Sequence, residues 1–97
     1  MTEEKPLAHD ICLRKMHDAW NQAKKKYAQN PSIDADSIVW DCLDRVPLYL
    51  GVLAEMRLPG STRSAVLRDA GALVAEIMTH ELGSYFVMDL SILVEQI

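Results

Sequence analysis

Apolar residues recur along this chain at alternating intervals of three and four, the spacing that lines one face of a helix. Leu13, Met16, Trp20, Ala23 and Tyr27 form the first such stripe, and Arg14, Lys15, Asp18, Gln22, Lys25 and Lys26 take the opposite face. The pattern predicts a helix from about Leu7 to Gln29, with Pro6 acceptable at its start. Asn30-Pro31 should end it, because proline disfavours helical geometry in the residue before it. Ser32 or Asp34 can cap a second helix, and Asp34, Asp36 and Asp41 suit the positive end of its dipole. Ile33, Val39, Trp40 and Leu43 are its apolar residues.

Pro47 then interrupts the pattern. Its ring clashes with the carbonyl four residues back, so the second helix should stop or kink near Asp44–Val46. A third helix can start there and run to about Arg57, presenting Leu50, Leu53 and Met56. Gly51 weakens it, which often marks a close helix contact. Leu58-Pro59-Gly60 reads as a turn in which glycine takes the positive φ of type II geometry. Ser61 or Thr62 caps the next helix, with Val66, Leu67, Ala70, Leu73, Val74, Ile77 and Met78 as its stripe. Gly83 is placed to close it in the left-handed conformation.

The tail allows two readings. Ser84 to Ile97 is rich in β-branched and aromatic residues, which suit a strand. Yet Phe86, Leu90, Leu93 and Ile97 follow helical spacing, and Ser84 is a good N-cap, so a fifth helix is expected. The fold class is therefore all-α: one domain over residues 1–97, of four or five helices joined by short Pro/Gly turns.

Composition narrows the function. The chain has 97 residues and is 49% hydrophobic, more than one compact core of this size needs. The surplus points to docking on a partner, or to self-association when the protein is free. All five lysines precede residue 27, and from Val46 onward Arg57, Arg63 and Arg68 are the basic residues. A net charge of −4 argues against coating nucleic acid. Val46 to Ala54, the longest charge-free apolar run, is far short of the roughly 20 residues of a membrane span. The first residues lack the apolar region of a signal peptide. Cys12 and Cys42 read as reduced thiols of a cytoplasmic protein.

Candidate chemistry is sparse. His80-Glu81 begins an H-E-x-x-H zinc pattern, but the fifth position is Ser84, so an ordinary His-Glu pair at a helix end is expected. His9 and Cys12 share a helix face without a second ligand pair. No nucleophile motif or glycine-rich phosphate loop is present. No metal, cofactor or catalytic residue is therefore assigned. Lys24-Lys25-Lys26 reads as a solvated face complementing the helix C-terminal dipole. The competing motif is a helix-turn-helix in Gly60 to Arg68, with Ser61, Thr62, Arg63 and Arg68 as base readers. Pro59 distorts its turn, and bulky Met56 stands where a small residue is usual.

The length and running sequence resemble the small anti-RecBCD proteins of lambdoid Salmonella phages. The stretches that carry this are Met1-Thr2-Glu3-Glu4-Lys5-Pro6, Trp40-Asp41-Cys42-Leu43-Asp44-Arg45 and Arg57-Leu58-Pro59-Gly60-Ser61. The resemblance implies a phage protein in the host bacterial cytoplasm that binds the RecBCD helicase–nuclease through its RecC subunit. It would alter how that enzyme treats linear DNA ends, without catalytic residues of its own. The expected partner-facing residues are Tyr85, Met88 and Ile92, with Phe86 expected in the core. Asp34, Asp36 and Asp41 are the expected polar rim. Leu58, Pro59 and Gly60 form a segment that a host prolyl isomerase could engage.

Overall fold

The computed structural model describes residues 7–29 and 37–97, and it is all-α: among these residues there is no strand. Helix α1 covers Ala8–Gln29, α2 Ser37–Glu55, α3 Gly60–Thr79 and α4 Leu90–Glu95, with a 3-10 segment at Glu81–Tyr85. The expected end at Asn30-Pro31, and the cap at Ser32 or Asp34, lie outside the described residues. So do Ile33 and the rim residues Asp34 and Asp36.

The first helix follows its stripe. Cys12, Leu13, Met16, Ala19, Trp20 and Ala23 are buried, and most of this face packs along α2. Two thiols mark the register. Cys12 donates from Sγ to the carbonyl of Tyr49 at 3.3 Å, and Cys42 donates to Gln22 Oε1 at 3.6 Å. The start of α1 thus meets the second half of α2, and the two run antiparallel. The molecule is thin, with extents of 47 × 33 × 18 Å. Since a helix with side chains is about 10–12 Å across, that thickness is under two full helices. The core forms one cluster from Cys12 to Ile97, with Trp20, Met16, Leu43, Leu50 and Ile77 among its largest fully buried side chains. Burying each such side chain contributes about 1.5–3 kcal/mol.

Several expectations are corrected. Pro47 does not divide α2, which runs through it as one helix. Proline removes the hydrogen bond to the Leu43 carbonyl, but Val39, Leu43, Val46, Leu50 and Leu53 keep an unbroken four-three spacing and are all buried. Their shared burial outweighs a local cost of about 3 kcal/mol. Gly51 meets no close contact from another element among the described residues: beyond its own helix backbone and chain neighbours, a Cβ added there would find nothing within 4 Å.

The Pro59-Gly60 turn is not type II either. No described glycine has positive φ, and the left-handed position falls instead on Arg57, at φ 49°. Pro59 is itself the N-cap of α3, with extended geometry and no side-chain cap. Its carbonyl accepts from the Arg63 amide at 2.7 Å. Ser61 and Thr62 therefore lie inside the helix they were expected to cap.

Gly83 is not a helix cap, because α3 ends at Thr79 with His80 as its C-cap. Glycine is required at 83 for space: a Cβ there would overlap the Ile77 carbonyl oxygen. In the tail Ser84 and Tyr85 close the 3-10 segment, and α-helix forms only over Leu90–Glu95. Its N-cap is Asp89, whose Oδ1 accepts from the Ser91 amide at 2.9 Å, and not Ser84. That bond holds the Asp89 carboxyl below its usual range.

Candidate functional site

The C-terminal segment crosses to α2 and builds a mixed apolar and acidic surface. The Tyr85 ring stacks on Trp40, with centroids 4.6 Å apart and planes 23° from parallel. Its hydroxyl donates to Asp44 Oδ1 at 2.6 Å. That bond pushes the phenol above its usual range, helped by partial burial and by the charges of Asp44 and Asp41. Phe86 packs edge-on against Tyr85 and reaches the core. Beyond it the chain turns outward: Met88 is 47% exposed, Ile92 48%, and Val87 fully exposed.

Of the expected partner-facing residues, Tyr85, Met88 and Ile92 are thus all accessible, and Tyr85 is bonded to the exposed Asp44 and feels the charge of Asp41. Val87, between Phe86 and Met88, is exposed as well and was not anticipated from the sequence. Its place in the apolar run from Tyr85 to Met88 was the available signal.

Other candidate residues have structural tasks. His80 is half-buried, not an exposed end pair. One ring nitrogen, Nδ1, accepts from the Leu82 amide at 3.0 Å, and its ring packs edge-on against Trp20 and Tyr27. Among the described residues no three His, Cys, Asp or Glu side chains converge as metal ligands. Burial pushes the Cys12 thiol up, against a smaller opposing effect of Lys15. Lys24 is more than a solvated charge, since it pairs with Glu76 at 3.0 Å and lies over the Trp20 ring.

A polar ladder joins α1 to α3 and to the 3-10 segment that follows it. His17 meets Asp69 at 2.7 Å. Trp20 donates its indole N–H to Glu76, and Tyr27 donates its hydroxyl to Glu81. The Trp20 and Lys24 hydrogen bonds hold the Glu76 carboxyl below its usual range. The bond to Glu81 holds the Tyr27 phenol above its own.

No protein-family model, curated protein or solved structure matches this chain. Geometry is then the ground for weighing the remaining motifs. Among the supposed base readers, Arg63 donates from Nε to the Ile97 carbonyl at 3.1 Å and holds the C-terminal residue in place. The two helices flanking the turn do not form a helix-turn-helix pair, for α3 packs on α4 and α1 rather than along α2. Leu58 packs against the core, while Pro59 and Gly60 are exposed ahead of α3. No helix among the described residues is long and apolar enough to cross a membrane.

Proposed function

We propose that this protein is a non-enzymatic inhibitor that binds host RecBCD through RecC and changes its processing of linear DNA ends, in favour of phage recombination. The partner is proposed from the resemblance of the sequence to anti-RecBCD proteins. The observation that supports a docking role is the exposure of Tyr85, Val87, Met88 and Ile92 in the C-terminal segment, with Tyr85 bonded to Asp44 and near the charge of Asp41. An apolar centre with charges at its edge is the composition of a protein interface: the apolar side chains supply affinity and the charges steer encounter.

Binding should occur with purified RecBCD and no DNA present, and should change its nuclease or helicase behaviour. Met88→Asp and Ile92→Asp should weaken binding at least about tenfold while the fold persists, because both side chains are exposed. Retained binding by the folded double variant would exclude this face. Charge reversal at Asp41 should slow association more than it speeds dissociation. Pro59 is the proposed contact for a host prolyl isomerase, and Pro59→Ala should lose that association while keeping RecBCD. Binding of RecBCD that required DNA ends would favour end protection instead.

A further inference from the structure

The outer side of α2 carries a second exposed surface that the docking role above does not use. Leu48 is 62% exposed and Val52 42%, on the face opposite Val46, Leu50 and Leu53, which enter the core. Pro47, Gly51, Glu55 and Met56 complete a shallow groove of about 590 Å³ around them. We propose that this face is a homodimer interface, in which α2 packs antiparallel against α2 of a second copy, across a two-fold axis at the level of Leu50.

The charge pattern selects a second copy as the occupant. In a two-fold interface residue i meets residue j, and j meets i. For antiparallel helices the residues that meet are equidistant in sequence from the axis. Leu48 and Val52 are equidistant from Leu50, and so are Arg45 and Glu55. Leu48 of each copy then meets Val52 of the other, and Arg45 of each meets Glu55 of the other. Both Arg45 and Glu55 are exposed, and neither has an ion pair among the described residues. At these positions the face is thus complementary to itself, apolar at Leu48 and Val52 and oppositely charged at Arg45 and Glu55. The exposed Asp41 and Asp44 lie beyond Arg45, where Asp44 is held by Tyr85.

Gly51 supplies an independent reason. A glycine inside a helix costs stability and is kept where another backbone comes close. Apart from its chain neighbours and the backbone of its own helix, no described residue comes within 4 Å of where its Cβ would stand, yet Gly51 lines the groove together with Leu48 and Val52. A second helix crossing there needs that space.

Sedimentation equilibrium of the full chain tests this. The wild type should pass from monomer to dimer with rising concentration. Arg45→Glu alone and Glu55→Arg alone should each weaken the dimer about tenfold or more, and the double exchange should restore it to within about threefold. Gly51→Leu should abolish the dimer and raise the monomer's melting temperature, which separates a blocked interface from a failure to fold. A wild type that stays monomeric to high concentration overturns the proposal and leaves the groove to an unlike chain. A dimer that survives Gly51→Leu, or that the double exchange fails to restore, overturns it too. A dimer dissolved by Met88→Asp but not by Leu48→Asp would place self-association on the C-terminal surface and equally overturn it.

Discussion

Trp20 on α1 and Glu76 on α3 are joined by an indole-to-carboxylate hydrogen bond at the edge of the core. The indole ring is buried to 1% exposure, while the carboxylate stays close enough to solvent to pair with Lys24. One residue thus fills the core and also fixes the lateral position of α3. Trp20→Phe keeps most of the buried ring but removes the donor, and should cost about 1–3 kcal/mol in urea unfolding. Trp20→Ala also opens a cavity and should cost about 3–5 kcal/mol.

The same contact gives stability a dependence on pH. Glu76 has its folded pKa lowered, so its contribution is complete above the unfolded carboxyl value of about 4.3 and is lost as pH falls below it. Tyr27 and Tyr85 have raised phenol pKa values, so theirs is complete below about 10 and lost as pH rises beyond. Melting temperature should therefore be flat near neutrality and fall on both sides. Trp20→Phe should shallow the acid limb, and Asp44→Asn the alkaline one. Parallel limbs in variant and wild type would contradict these assignments.

Pro47 lies inside a continuous helix and leaves the Leu43 carbonyl without its helical donor. Pro47→Ala should restore that bond and stabilise the protein by about 1–3 kcal/mol, with unchanged helix content by circular dichroism. A loss of stability would mean that the proline ring's own packing matters more than the missing bond.

Gly83 faces the backbone of Ile77, which cannot move without disturbing the end of α3. Gly83→Ala should destabilise by about 1–3 kcal/mol. The left-handed Arg57 behaves in the opposite way: Arg57→Gly should stabilise by about 1 kcal/mol, since glycine alone adopts positive φ without strain. Thermal unfolding of the two variants distinguishes a glycine needed for space from a position that needs glycine for its backbone.

The sequence by itself determined the helical class, the extent of α1, the buried stripe of α3 and the apolar surplus. These follow from spacing and composition, which act locally and over single helices. The continuity of α2 was also written in the spacing of Val39, Leu43, Val46, Leu50 and Leu53, though the local rule against proline pointed the other way. What only the tertiary structure decided involves residues far apart in the chain. Tyr85 reaches Trp40 and Asp44, Arg63 reaches Ile97, and Trp20 reaches Glu76. Gly83 shows the same limit, for its role depends on how the 3-10 segment folds back over the end of α3, and that return is set by the burial of Leu82 and Leu90 in a core assembled from all four helices. Periodicity shows which face of a helix seeks cover, but the covering element is chosen by packing among all of them at once.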